Sequence, residues 1–171
     1  MEEDRVQREI VSLLESGVSI LPEKVRHWMN LPDLNVQALV FDLLFEYPER
    51  LEGSIDEEET TAFFLKYLGQ CLRDPVDGKY AHGRHMAGHS LRAWFQRLWK
   101  RRPNTEHHLI LIRDMLSQLC REGSEATRDA VTISVLEHLF VNADVVTFFQ
   151  SWKHDPRLTG IYTESISLAS G

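Results

Sequence analysis

Apolar side chains recur at helical spacing along most of this 171-residue chain, and this periodicity is the strongest constraint on its fold. Between residues 2 and 153 the apolar positions follow i, i+3, i+4 and i+7, which lines them up along one side of an α-helix. Glycine and proline separate the periodic segments, and we find no alternation of apolar and polar residues typical of a strand. The sequence therefore predicts an all-α protein of seven to nine helices.

Two arrangements of these helices are open, a layered bundle and an α-solenoid of antiparallel pairs. Residues 31–50 (LPDLNVQALVFDLLFEYPER) and residues 122–140 (EGSEATRDAVTISVLEHLF) each place a polar turn before a helix of small and branched apolar residues. In this they resemble the units of HEAT or armadillo-like repeats. The resemblance implies a HEAT-like stacking of helix pairs.

A second resemblance covers residues 58–165. An acidic start to one helix is followed by a long basic helix, then by LSQLCREGSEATRDAV and VLEHLF, and then by a tryptophan-bearing end. This order is similar to a family of uncharacterised small helical bacterial proteins, some of which are suspected immunity proteins of toxin systems. The resemblance implies a protein-binding scaffold that neutralises a toxin, and it supplies no catalytic residues.

Charge is distributed unevenly along the chain, whose net charge is −7. Residues 1–62 hold 15 Asp and Glu against 5 Lys and Arg, whereas residues 79–104 hold seven Lys and Arg and no carboxylate. The basic segment is predicted to be helical, with Pro103 ending it and a core-facing stripe of Leu91, Trp94, Phe95, Leu98 and Trp99. Because Gly83 and Gly88 disfavour a helix interior, we expect the regular helix to begin near His89.

The polar side chains of this helix lie off its core-facing stripe and predict a binding surface for another protein. The candidate partner-binding residues are His85, His89, Arg92, Gln96, Arg97, Lys100 and Arg101. A nucleic-acid-binding role for residues 79–102 is the alternative, although the aromatic residues face the core and the isoelectric point is near 5.6. In a further interpretation, these cations only solvate the helix and pair with the acidic N-terminal helices.

Three histidines, His82, His85 and His89, form the strongest candidate metal site, since His85 and His89 share a helical face at i, i+4 spacing. A zinc site needs three or four protein ligands, and no HExxH, CxxC or nearby carboxylate completes this one. We therefore expect these histidines to be solvated or to face a partner, and we expect no metal or other cofactor.

Other features narrow the functional class. No GxSxG motif, glycine-rich phosphate loop or plausible Cys–His order is present, so we expect no enzymatic activity. Cys71 and Cys120 lie in apolar periodic runs, which predicts buried thiols in a reducing compartment. Without a signal peptide or a membrane-spanning run, the expected location is the cytoplasm. Residues 1–160 are predicted to form one domain, followed by a mobile tail over 161–171, because Pro156 and Gly160 interrupt the periodicity.

Overall fold

The computed structural model describes residues 2–171 and confirms the all-α prediction. Helices account for 75% of the structure, and the described residues contain no β-strand. An isolated parallel β-bridge joins Ile20 and Leu51. Nine separate α-helical stretches run through residues 2–171 when the seventh and eighth helices, which are continuous through a π-helical segment, are taken together. Their stacking as a solenoid or as a layered bundle stays a prediction.

In chain order the α-helices are α1 (Glu2–Ser16), α2 (Pro22–Met29), α3 (Leu34–Glu46), α4 (Glu57–Arg73), α5 (Arg84–Lys100), α6 (Glu106–Glu122), α7 (Glu125–Ala130), α8 (Glu137–Leu139), α9 (Ala143–Phe148) and α10 (Thr159–Ser170). Short 3-10 helices occupy Pro48–Arg50 and Gln150–His154. A π-helical segment over Val131–Leu136, called the π segment below, joins α7 to α8. Its hydrogen bonds skip one more residue than those of an α-helix, which widens the turn.

The chain separates into two compact units, where the sequence predicted one domain over residues 1–160. Among the described residues, the first unit comprises residues 2–67 and 76–82, and the second comprises residues 68–75 and 83–171. The boundaries fall inside α4 and next to the start of α5. A sequence boundary is hard to predict there, because α4 continues its apolar periodicity through residue 67.

The first unit packs helices α1 to α3 and the first part of α4 around an aromatic centre. Phe41 lies 4.6 Å from Phe64 and 5.8 Å from Tyr67, measured between ring centroids. Asp33, directly before the apolar run of α3, caps this helix by accepting a 2.8 Å hydrogen bond from the Val36 N–H, as an aspartate at this position predicts. Gly17 follows α1 with a φ of 76°, a left-handed conformation that glycine adopts without steric cost.

Arg50 also closes this C-terminal end of α1, a role that the sequence did not indicate. Its guanidinium donates hydrogen bonds to the carbonyl oxygens of Leu13 and Leu14, the latter at 2.8 Å, and to that of Val18 at 3.4 Å. The last carbonyls of a helix have no partner within the helix, and they form the negative end of its dipole. One cation from a distant 3-10 helix therefore satisfies the C-terminus of α1.

The second unit is built on a close approach between α5 and the π segment. A Cβ atom added to Gly88 would lie 2.6 Å from the Cβ of Ser134 and 3.4 Å from Cγ2 of Val135. Only glycine allows the backbone of α5 to come this near. The prediction that α5 becomes regular only near His89 is wrong, since the helix begins at Arg84. The tertiary contact outweighs the low helix propensity of Gly88.

The π segment also explains a misplaced core residue. The helical spacing of Ala130, Ile133, Leu136 and Phe140 predicts that all four are buried on one side, yet 48% of Ile133 is exposed while the other three are buried. A wider turn rotates each residue by a smaller angle, so an i+3 neighbour no longer falls on the same face. The periodicity rule therefore fails at Ile133 because the rule assumes an α-helix.

The C-terminal residues form a helix where the sequence predicted a coil and a mobile tail over 161–171. Tyr162 of α10 is buried, and its hydroxyl donates a 3.0 Å hydrogen bond to the carbonyl oxygen of Val146. Ser165, one turn later, is also buried. The sequence predicted a break in the helical periodicity at Gly160. This glycine lies in the first turn of α10, where it does not interrupt a helix.

Both cysteines are free and buried, as the apolar runs around them predicted. Burial raises the pKa of the Cys120 thiol to about 12, and the positive charge of Arg128 opposes this effect only in part. A thiol with such a pKa stays protonated at neutral pH and is a poor nucleophile. Cys120 thus behaves as a small core side chain.

We expect Arg50→Ala to lower the free energy of unfolding by about 2 kcal/mol, because it leaves the helix-end carbonyls without a charged donor. Arg50→Lys should recover part of the loss, since an ammonium group keeps the charge but cannot span several carbonyls at once. Urea denaturation of the variants measures both effects. Arg5→Ala, on the exposed side of α1, is the control, and a loss no larger than that control would refute the capping role.

We expect Gly88→Ala to destabilise the protein by about 1–3 kcal/mol, because the new methyl group overlaps Ser134. Helix propensity alone predicts the opposite sign, a gain of about 1 kcal/mol. Gly160→Ala is the matched control, since nothing lies within 4 Å of a Cβ at that helical position. Thermal unfolding of the two variants should therefore shift in opposite directions, and a stabilised Gly88→Ala variant would contradict the close approach.

Candidate functional site

Helix α5 presents most of the predicted partner-binding residues to solvent. We use the name basic face for the set His85, His89, Arg92, Gln96, Arg97, Lys100 and Arg101. All of them are exposed except Arg92, which is half-buried. On the other side of α5 the predicted apolar stripe is buried at Leu91, Trp94, Phe95 and Leu98, but Trp99 is only half-buried. The structure thus confirms the two sides of the helix and moves Trp99 to the border between them.

His82 does not belong to this solvent-facing set, which corrects the expectation from the sequence. It lies in the first unit, before α5 begins, and only 5% of it is exposed. Its Nδ1 atom hydrogen-bonds to the Tyr67 hydroxyl, whose oxygen also accepts the His82 backbone N–H at 3.1 Å. The Phe41 ring stands edge-on to the imidazole at 5.6 Å. Burial lowers the pKa of His82 and favours the neutral ring.

His85 and His89 both lie close to the helical region after α6, which comprises α7, the π segment and α8. Nδ1 of His85 lies 2.7 Å from the Ser134 hydroxyl in the π segment. The ring of His89 lies 6.5 Å from that of His138 in α8. Partial desolvation lowers the pKa of His89, helped first by the positive charge of Arg92 and then by His138 and His85. The absence of a bound metal at these histidines stays a prediction.

The hydrogen bond between His85 and Ser134 brings together two groups used in nucleophilic catalysis. A serine hydroxyl activated by an imidazole must also reach the substrate carbonyl. Only 1% of Ser134 is exposed, because α5 covers it at Gly88. In this setting the pair has a positioning role: the serine orients the His85 ring and leaves Nε2 as the nitrogen that can face solvent.

A cavity of about 430 Å³ opens beside the C-terminal half of α5, and we call it the Trp99 pocket. Its walls come from α5, α8, the following turn and the start of α9. The lining residues are Phe95, Gln96, Trp99, Lys100, His138, Leu139, Val141, Asn142 and Val145. Apolar side chains make up more than half of this set, and Val141 at the edge is 72% exposed.

Three neighbours hold the indole of Trp99 in place. The ring stacks on Phe95 at 5.6 Å and meets Phe148 edge-on, also at 5.6 Å. The guanidinium of Arg102 lies over the indole at 3.3 Å from its centre, and its Nε donates a 3.1 Å hydrogen bond to the Trp99 carbonyl. Aromatic packing and a cation–π contact on one ring fix its orientation. The pocket therefore has a preformed aromatic wall.

Sequence reasoning located only part of this site. Gln96 and Lys100 belong both to the predicted surface and to the pocket lining, whereas Arg97 in α5 and Arg101 directly after it are exposed but outside the lining. The missed residues are His138, Leu139, Val141, Asn142 and Val145. They lie about 40 positions further along the chain, and no motif links them to α5. Their position follows from the packing of the π segment.

No protein-family description, no curated protein and no solved structure matches this chain. The resemblances to helical repeats and to immunity proteins therefore stay predictions. Across residues 2–171, no helix combines the length and the apolar character needed to cross a membrane.

We expect the free energy of unfolding to depend less on pH in a His82→Asn variant. The lowered pKa of folded His82 means that, below the unfolded value of 6.5, the unfolded chain binds a proton that the folded chain does not. Stability from neutral His82 is therefore complete above that pH and falls as the pH decreases. Urea denaturation between about pH 7.5 and pH 5 measures the slope. At the upper end the variant should also lose about 1–3 kcal/mol, because it disturbs the buried Tyr67 hydroxyl.

Asp42, in the same unit, also makes the free energy of unfolding depend on pH. The effect of His82 must therefore be measured as the difference between wild type and variant. Burial, with a smaller effect from Glu46, raises its pKa to about 6, so its contribution to stability falls as the pH rises through that value. This slope is opposite to that of His82, and only the comparison with the variant isolates the histidine. His154→Asn, at an exposed position, is the control and should keep the wild-type slope. Equal slopes in wild type and His82→Asn would contradict the neutral buried histidine.

Proposed function

We propose that this chain is a non-enzymatic, protein-binding module whose basic face binds an acidic partner protein. The observation that carries the proposal is the exposure of Arg97 and Lys100 in the last turn of α5 and of Arg101 directly after it, within a stretch from residue 84 to residue 105 that has no carboxylate. The net charge of the whole chain is −7, so this surface differs in sign from the molecule as a whole. A local patch of opposite sign steers and orients a complementary surface.

The burial and stacking of the aromatic residues of α5 favour protein over nucleic acid as the partner. Binding of single-stranded nucleic acid uses aromatic faces on which bases stack. Trp94 and Phe95 are buried, and the indole of Trp99 is stacked on Phe95 and covered by Arg102. These three rings are thus engaged within the protein and do not present open faces to stacked bases. An acidic protein surface needs no such face.

The sequence resemblance to bacterial immunity proteins suggests a toxin as the class of partner. Neutralisation requires only tight binding, and a buried Ser134 beside His85 supports a module without catalysis. This part of the proposal depends on the partner's identity. A gene for a toxin-like protein next to the gene for this chain would support it.

The test is an affinity capture from the native host, performed at moderate salt and after nuclease treatment. We expect one protein to be recovered in stoichiometric amount by the wild type. The double variant Arg97→Glu/Lys100→Glu should lose at least about tenfold in affinity, because two attractive contacts become repulsive. Lys153→Glu/Arg157→Glu is the matched control, since it reverses two exposed charges elsewhere in the same unit.

Two results would overturn the proposal. Binding that disappears with nuclease and weakens steeply with added salt would assign the basic face to nucleic acid. An equal loss in both double variants would show that overall charge, and not this face, determines capture. Circular dichroism of each variant confirms that the helices are retained.

A further inference from the structure

We infer that the Trp99 pocket binds one apolar side chain of the partner, and that this side chain is flanked by carboxylates in a short acidic segment. The inference rests on the proposed function and adds the chemistry of the recognised segment. It assigns the anchoring contact to the pocket and a steering role to the remaining cations of the basic face. No residue of the predicted set outside Gln96 and Lys100 lines the pocket.

The floor of the pocket suits an apolar group. Phe95, Trp99, Leu139 and Val145 supply aromatic and aliphatic surface, and a volume of about 430 Å³ accommodates a leucine or an aromatic side chain. Val141, at the edge, is 72% exposed and loses solvent contact when the pocket is filled. Because burial of apolar area is favourable, this edge favours an apolar occupant.

The rim of the pocket selects charge. Lys100 is the one lysine or arginine among the lining residues, and the exposed Arg97 of α5 and Arg101 directly after α5 are close to it in sequence. Glu137 and Asp144, which are adjacent in sequence to the lining residues His138 and Val145, are absent from the lining. An acidic residue beside the anchor would therefore meet Lys100 at the rim. A basic segment would be repelled there.

Preorganisation makes the pocket a credible anchor site. Trp99 is already fixed by Phe95, Phe148 and Arg102, and Asn142 is held by accepting a 2.9 Å hydrogen bond from the Asp144 N–H. Binding of a partner therefore loses little conformational entropy in these walls. Interfaces commonly concentrate their affinity in one such desolvated apolar contact surrounded by polar residues.

The test uses a random linear peptide library selected on the immobilised full-length protein. We expect enriched peptides to share one Leu, Ile, Phe or Trp next to Asp or Glu. Isothermal titration then compares one enriched peptide with wild type and variants. Val141→Asp, which places a carboxylate at the pocket edge, and Lys100→Glu should each weaken binding by at least about tenfold. Leu168→Asp, at an exposed apolar position of α10, is the matched control and should bind like wild type.

The outcomes separate this inference from the proposed function. Acidic peptides without an apolar anchor, sensitive to Lys100→Glu but not to Val141→Asp, would overturn the inference and leave the proposed function standing. Basic peptides, or peptides insensitive to both variants, would overturn both. An absence of enrichment would count against the inference, because a preformed anchor site should select its ligand.

A second copy of this chain is the competing occupant, because the chain's own N-terminal region is acidic. Light scattering over a range of protein concentrations tests it. Self-association that Val141→Asp abolishes and Leu168→Asp retains would overturn the inference in favour of a homo-oligomer. A monomer at all concentrations supports a separate acidic partner.

Discussion

The close approach of α5 to the π segment at Gly88 determines the candidate site. With no side chain at this position, the backbone of α5 lies against Ser134 and Val135, at distances that a Cβ would make too short. The same approach puts His85 in hydrogen-bonding contact with Ser134 and brings His89 near His138. The Trp99 pocket lies further along, beside the C-terminal half of α5, and α8 contributes to its lining.

The π segment determines which of its side chains face α5 and which face solvent. A π turn accommodates one residue more than an α turn, and it is often found where a helix has a functional role. Here it turns Ile133 outward and Ser134 inward. It also sets the rotation at which α8 presents His138 and Leu139 to the pocket. An uninterrupted α-helix would place these side chains at other angles, so the lining depends on the local register.

Charge and shape contribute differently to the proposed binding. Long-range attraction depends on the number and sign of exposed charges, and Arg97 and Lys100 in the last turn of α5 are followed directly by Arg101. Affinity at short range depends on desolvated apolar contact, which the Trp99 pocket provides. Both elements meet at Lys100, which belongs to the basic face and to the pocket lining. This overlap gives a single acidic segment two ways to be recognised.

Local rules explain the parts of the structure that were predictable from the sequence alone. Apolar periodicity, the Asp33 cap, the turn at Gly17 and the burial of both cysteines involve neighbours within a few residues, where backbone geometry is nearly constant. The charge pattern likewise identified the solvent-facing side of α5. These inferences required no knowledge of which helices meet.

Tertiary contacts decided the rest. His82 is buried because Tyr67, 15 residues earlier, supplies the hydrogen-bond partner that a buried imidazole nitrogen needs. A glycine is accommodated at position 88 of α5 because a Cβ there would overlap Ser134. Ile133 is exposed because the π segment changes the turn. The C-terminal helix forms because Tyr162 is buried and bonds to Val146. For His82, Gly88 and Tyr162 the deciding atom comes from a distant part of the chain, about which a local pattern carries no information. For Ile133 the periodicity rule fails because it assumes α-helical turns.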